Sequence, residues 1–470
     1  MHHTPRPPTT FLAALVPALL LLWGCQDPDG AGAPAASPST SGSAEAEQVE
    51  PVSPEVDPAV RDDVARIAGH PGVQEAMAYL ESIEPRSLEE LVALTQIPAP
   101  PFMEEERAAA FADMLRAAGA DSVWTDGIGN VIGLRRGTSG DRTVAVDAHL
   151  DTVFPLETDV TVQFRGDTLY APGVGDDTRG LIVVRNVLEA MVAKDLRTEA
   201  DLLFIGTVGE EGLGDLRGVK YLFGESGTGQ EGLRIDAFIA VDGGDETRVV
   251  NQGVGSHRYR VTFHGPGGHS WGAFGLANPH NALAAAITHF VAAADEHTAS
   301  GPRTSYSIGR IGGGTSVNSI PFESWMEVDM RSLDNASLEG LDARLQEAMQ
   351  QGLDDENALR RQGDPLTVEV DMVGNRPAGT LDPATTPLVQ RAMAVILHHG
   401  GEPAMGSGST NANTPISLGI PAVTVGRGGR GGNAHALDEW WLPEEAHRGA
   451  WNVLLITLAE GGFEAGPGEG

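Results

Sequence analysis

Residues 143–151 read Thr-Val-Ala-Val-Asp-Ala-His-Leu-Asp, an apolar run that breaks into His149 and Asp151. A short apolar run with a polar break reads as a buried strand, so this pair stands just past a strand's carboxyl end. The design recurs downstream. Leu202 to Gly209 leads into Glu210-Glu211, Phe238-Ile239-Ala240-Val241 into Asp242, and Ala422-Val423-Thr424-Val425 into a glycine-rich loop that carries His435. Between the first two strands, Gly173-Val174-Gly175 introduces Asp176-Asp177 ahead of a buried helix over 181–191. Apolar spacing of three and four predicts further helices over 59–68, 73–83, 88–95, 104–118, 215–223, 386–399 and 443–458. Strands that alternate with helices predict an α/β fold, a mostly parallel sheet with helices on both faces. Such sheets place their sites beyond the carboxyl ends of the strands.

The order changes between residues 253 and 374. Strand 257–264, helix 278–297, strand 304–311, strand 324–331, helix 338–351 and strand 366–373 make a β-α-β-β-α-β series, the split pattern of a ferredoxin-like unit. It has its own helices and strands and reads as an inserted second domain.

Composition removes several functions. The 470 residues carry 65 Asp and Glu against 31 Lys and Arg, a formal charge of -34. A surface this acidic repels phosphate backbones, which excludes nucleic acid as a partner. With 41% hydrophobic residues the chain can bury a full core. A single cysteine permits no internal disulfide and no Cys-rich zinc module, so a metal site must use His and carboxylates.

That cysteine, Cys25, closes the apolar run 11–23 and follows Gly24. The run is too short to span a bilayer. It reads as a bacterial lipoprotein signal over residues 1–24, with Cys25 as the lipidated end. Residues 25–58, rich in Ala, Ser, Pro, Gly and Glu, read as a flexible tether. The expected address is the bacterial cell envelope, with the chain lipid-anchored and facing the periplasm or exterior, and with no other membrane contact.

Taken singly, the polar groups say little: His-x-Asp is common by chance, Asp-Asp in a glycine loop is commonly a turn, and Glu-Glu a solvated face. Five such groups, each at or near a strand end, need one explanation. Buried carboxylates cost several kcal/mol each, roughly, unless a cation compensates them. Two histidines among several carboxylates suit a divalent metal such as zinc.

The order His-x-Asp, Gly-x-x-Asp-Asp, Glu-Glu-Gly, Asp and a late His resembles the co-catalytic zinc peptidases related to peptidase T, glutamate carboxypeptidase, aminoacylase and succinyl-diaminopimelate desuccinylase. The resemblance spans roughly residues 85–465. It implies two divalent metal ions, zinc first, with cobalt or manganese as substitutes. Asp176 would bridge them, His149 and Asp242 would complete one site, and Glu211 and His435 the other. Asp151 would orient His149 through a hydrogen bond that fixes its tautomer. Glu210 would be the general base, and the Asp176-Asp177 peptide would be cis. The inserted unit would be the family's lid and dimerisation domain. Gly267-Gly268-His269-Ser270 matches its His motif, with His269 acting on the partner's site in a homodimer. Asn318, in Gly313 to Pro321, matches its Asn motif. Arg331, in Asp329-Met330-Arg331, matches the arginine that binds a substrate carboxylate.

The pattern also departs from the family. Asn411 stands where an Asp is usual, near the late His, and Asp177-Thr178-Arg179 shifts a positive charge by one place. Glu439 is expected to support His435. The loop from Gly426 to Gly432, with Arg427 and Arg430, lacks the features of a phosphate cradle; either its arginines meet a substrate carboxylate or it is simply a mobile loop, and the loop is the preferred reading.

These readings divide the chain into a signal (1–24), a linker (25–58), a catalytic domain in two parts (59–252 and 375–470) and the inserted unit (253–374). The function implied is a metallopeptidase that removes terminal residues from small peptides by two-metal activation of water. One alternative is an N-acyl amino acid amidohydrolase or deacetylase of the same fold. Another, from a different class, is a lipid-tethered protein that only binds peptide or metal.

Overall fold

The structure is a computed structural model. It describes residues 55–224 and 233–464. The signal segment, Cys25 and nearly all of the tether lie outside the described residues.

The main sheet runs in the order Ser122–Thr125, Val131–Arg135, Asp201–Thr207, Thr143–His149, Ala237–Val241, Ala422–Val425, Arg248–Gly253 and Gly379–Thr380. Ala404–Gly408 also pairs with Arg248–Gly253. The four strands from Asp201–Thr207 to Ala422–Val425 are parallel neighbours, and the outer pairs along this order are antiparallel. The central strands are parallel because both of their faces are covered. Val144, Val146, Leu202 and Phe204 join the core under the helices Pro58–Ala68, Glu105–Ala118, Gly180–Ala193 and His447–Gly461. Ala145, Leu203 and Ile205 point the other way, to Leu216, Val219 and Ile416.

A second sheet has the order Thr304–Gly313, Glu323–Ser332, Gly255–His264, Thr367–Arg376, all antiparallel. The helices Pro279–Thr298 and Asn335–Leu359 pack on one face. Alternation is strict in the strand from Glu323: Met326, Val328 and Met330 are buried in a separate core. Glu327, Asp329 and Arg331 lie on the opposite face. The β-α-β-β-α-β series is as expected.

Three details differ from expectation. The helix expected over 338–351 runs from Asn335 to Leu359. Gly352 does not stop it, because a Cβ there would lie 2.5 Å from the Ala286 nitrogen, so this glycine lets the two helices approach. The helix expected from 443 starts at His447, because Glu445 has φ 49°, which is not helical. The strands Ser122–Thr125, Val131–Arg135 and Arg248–Gly253 carry too few consecutive apolar residues to stand out in the sequence.

Candidate metal centre

The parallel strands deliver the polar groups to one edge. His149 ends its strand opposite Thr207, and Glu210 and Glu211 follow the strand that ends at Thr207. Asp242 follows Val241, and its nitrogen donates to the Val425 carbonyl at 3.1 Å. Asp176 lies in a tight turn that opens the helix Gly180–Ala193. The Asp176–Asp177 peptide is cis. Position 180 must be glycine, since a Cβ there would lie 2.3 Å from Asp177 Oδ1. His435 sits in the loop after Ala422–Val425 with φ 67° and a side chain 54% exposed.

Asp176 joins the two histidines. Its Oδ1 lies 3.1 Å from His149 Nε2, and its Oδ2 3.2 Å from His435 Nε2. His435 Nε2 is also 2.8 Å from Glu211 Oε1. His149, Asp176 and Asp242 bring donor atoms within 4.8 Å of one another, as do Asp176, Glu211 and His435, and as do His149, Glu210 and Glu211. Two ligands on one tetrahedral zinc, each about 2.0–2.1 Å from it, lie roughly 3.3 Å apart. The three nitrogen–oxygen separations suit that, and so does the mixed imidazole and carboxylate set.

A buried network holds this arrangement. Asp151 accepts from the Glu210 and Glu211 nitrogens at 2.9 and 2.8 Å. It meets His149 mainly through its main chain: His149 Nδ1 lies 3.0 Å from the Asp151 main-chain oxygen, and the Asp151 carboxylate is farther, at 3.7 Å. The carboxylate is occupied by the two amides of the Glu210-Glu211 turn. Glu439 does not touch His435. It accepts from the nitrogens of Gly173, Gly175 and Asp176 at 2.7, 2.9 and 2.8 Å, and so fixes the aspartate turn. Asn411 lies behind the sheet, where it donates to Asp147 Oδ2 at 2.8 Å and to Thr207 Oγ1 at 2.7 Å. The fully buried Arg107 donates to the carbonyls of Thr95, Ile97 and Leu150, which locks the segment between His149 and Asp151.

The electrostatics are those of a crowded anionic site. Burial opposes charge on His149, but its contacts with Asp151 and Asp176 outweigh burial and hold the imidazole well above its usual range. Hydrogen bonds that Asp176 and then Glu211 accept from its ring push His435 up to about 10. Burial works against the Asp176 carboxylate too, yet the two histidines keep it below the carboxylate range. Burial raises Asp177 well above that range. It pushes Glu210 up to about 8, with Arg376 opposing and Glu211 adding to the shift. Positive charge supplied among these carboxylates would relieve every one of these conflicts.

A cleft of about 570 Å³ opens on the cluster, and Asp176, Glu210, Glu211, Asp242 and His435 line it. Arg331 lines it too, held by Asp329 Oδ2 at 2.7 Å. His269 and Asn318 do not. They stand together on loops of the smaller sheet, where His269 pairs with Ser319 and the Asn318 carbonyl accepts from the Ser270 nitrogen at 2.9 Å. Two further arginines stand in the cleft wall, of which Arg376 had no signal in the sequence. Arg376 ends the strand Thr367–Arg376, and its Nη1 lies 3.1 Å from Glu210 Oε1. Arg427, in the segment expected to be mobile, is 6% exposed and packs where a Gly175 side chain would begin. The alternation of Gly and Arg suggested mobility; the glycines instead permit close packing around the guanidinium.

The fold and the cluster together define a hydrolase acting on peptide or amide bonds. The family model of Peptidase family M20/M25/M40 matches residues 145–458, and the chain belongs to that family. No curated relative matches the chain. Among solved structures, aminopeptidase PepT from Bacillus cereus has a TM-score of 0.62 at 22% identity, covering 80% of this chain and 98% of that one. A di-peptidase from Saccharomyces cerevisiae has 0.65 at 16%, covering 82% and 98%. An amidase of the hydantoinase/carbamoylase family from Burkholderia vietnamiensis has 0.60 at 17%, covering 80% and 97%. At these identities the likeness is one of fold.

Proposed function

We propose that the protein is an exopeptidase that cleaves the terminal amide bond of small peptides and uses two divalent metal ions, zinc first. The observation that carries this is Asp176, whose two oxygens each meet a different histidine beside the buried Glu210. His149, Asp176 and Asp242 would hold one ion, and Asp176, Glu211 and His435 the other. When bound, such ions acidify a water molecule and polarise a carbonyl. Glu210 takes the proton from the attacking water and delivers it to the leaving nitrogen, a role worth on the order of 10²–10⁴ in rate. Asp151 keeps Glu210 and Glu211 in register through their amides. Arg331 binds a substrate carboxylate from the far wall of the cleft.

The smaller sheet and its two helices act as lid and dimerisation domain of a C2 homodimer. His269 and Asn318 lie outside their own chain's cleft, which supports their service to the partner's site. There His269 would stabilise the oxyanion and Asn318 would contact substrate. We assign the mature chain a lipid anchor at Cys25 in a bacterial envelope.

An amidohydrolase acting on N-acyl amino acids is the second reading, since the fold is shared with amidases. One experiment separates the two. Metal-free protein is reloaded with zinc, cobalt or manganese and assayed by mass spectrometry against di- and tripeptides and acetylated amino acids. Metal-dependent release of terminal residues supports the exopeptidase. Release of acyl groups alone supports the second reading, and no turnover with any metal contradicts both.

A further inference from the structure

Five arginines line the cleft against four carboxylates, in a chain whose charge is -34. Three of them have carboxylate partners. Arg258 and Arg331 share Asp329, at 2.9 and 2.7 Å, and Arg376 pairs with Glu210 at 3.1 Å. The other two, Arg248 and Arg427, have no carboxylate within 4 Å among the described residues. Arg248 Nη1 donates only to the main-chain oxygen of Asp242, at 2.7 Å. Arg427 is 6% exposed, yet its Nη1 is buried with no hydrogen-bond partner. Leaving a buried guanidinium nitrogen unpaired is costly, so the arrangement needs a reason.

The two cations also converge. The point where a side chain on Gly243 would begin lies 2.5 Å from Arg248 Nη1 and 3.4 Å from Arg427 Nη1. The two nitrogens are therefore no more than about 6 Å apart. Gly243, with φ 56°, has no side chain, and this lets both guanidinium groups come close to one another in the cleft wall next to Asp242. Arg427 also acts on Asp176 and Glu439 from a distance, but neither guanidinium has an ion-pair partner among the described residues, and two such groups side by side in a cleft wall suit a carboxylate.

We propose that Arg248 and Arg427 form an anion subsite, so that the preferred substrate is dianionic: one carboxylate at Arg331 and a second, on an acidic side chain or acyl group, at this pair. The inference rests on the amide-hydrolase reading for turnover but not for binding. The rest of the wall carries little side-chain bulk: the glycines 212, 243, 244, 431 and 432 line it, with Val153 and Ala434 as its aliphatic side chains.

The test uses metal-loaded protein of verified metal content. Glutarate, a dicarboxylate, and butyrate, its monocarboxylate counterpart, are titrated calorimetrically into wild type, Arg427→Gln, Arg248→Gln and the control Arg430→Gln. Arg430 is exposed and paired with Glu444. Charged hydrogen bonds of this kind predict glutarate binding about tenfold or more tighter than butyrate in wild type and control, falling to about threefold or less in both cleft variants. In parallel, kcat/KM is compared for dipeptides with Glu or Ala beside the scissile bond, and the Glu-to-Ala ratio should fall by a similar factor. If no peptide is turned over, the hydrolase reading fails while the glutarate arm still decides the subsite. Equal binding of the two acids by wild type overturns the proposal, as does a preference that survives in Arg248→Gln. If Arg427→Gln loses metal, Arg248→Gln decides alone: an unchanged preference there makes Arg427 a counter-ion for Asp176 and Glu439 and nothing more.

Discussion

Arg376 Nη1 lies 3.1 Å from Glu210 Oε1, and both side chains are buried. The arginine also donates to the Glu210 main-chain oxygen. It ends the last strand of the smaller sheet, while Glu210 stands at the carboxyl edge of the main one. The position of the smaller sheet is thereby tied to Glu210.

Removing this partner should move the pH profile. Burial already pushes Glu210 up to about 8, and Arg376 opposes that shift. Bound cations lower it further, so the acid limb of kcat/KM should lie below pH 8 in the wild type. In Arg376→Gln the limb should move up by about one to two pH units, the usual effect of losing an adjacent opposite charge. Steady-state kinetics from acid to neutral pH would show it. A uniform loss with an unmoved limb would mean that Arg376 only packs the junction between the two sheets.

Metal affinity should rise with pH. A metal ligand must be a neutral imidazole, and Asp176 and Glu211 push His435 up to about 10 in the metal-free protein. Binding must therefore release a proton. Competition titrations with a chelating dye in two buffers of different ionisation enthalpy should find tighter binding at about pH 8 than at about pH 6, with proton release. The same contact has the opposite sign for the metal-free fold. A raised folded-state pKa gives stability that is complete below the unfolded value of about 6.5 and is lost as the pH climbs through about 10. Apo-protein melting should show that decline, and His435→Gln should flatten it.

Most of the fold was legible in the sequence because buried parallel strands are continuous apolar runs. The run 143–149 and its three counterparts announce themselves, and the polar residues that end them are the donor cluster. The supporting contacts were not legible. Glu439 grips the Asp176 turn across a sequence separation of 263 residues, and Arg376 and Arg427 reach the cleft only through tertiary packing. Asp151 was marked as important, but its carboxylate serves the Glu210 and Glu211 amides, a distinction that spacing alone does not encode. Gly352 and the loop from Gly426 to Gly432 misled for one reason: glycine marks close approach as often as it marks a break.

His269 gives a complementation test of the homodimer. Glu210→Gln and His269→Ala homodimers should each be nearly inactive. After verified subunit exchange, the His269→Ala chain keeps its own Glu210 and receives His269 from its partner, so one of two sites is complete and activity should return. No recovery in a confirmed mixed dimer, or a monomer by light scattering, would contradict action in trans.

Cys25 gives the test of the anchor. The wild-type protein should fractionate with membranes and carry a diacylglycerol on Cys25, and Cys25→Ser should release or misprocess it. A fully soluble wild type beginning at Gln26 or later would contradict the lipoprotein reading.

The central claim is that Glu210 moves protons while its neighbour Glu211 holds metal. Metal content and turnover measured side by side on wild type, Glu210→Gln and Glu211→Gln test it most directly. Glu210→Gln should keep two metals per chain and lose on the order of 10²–10⁴ in kcat, and Glu211→Gln should lose metal. The reverse pattern, or a Glu210→Gln enzyme with near-normal turnover, would contradict the account.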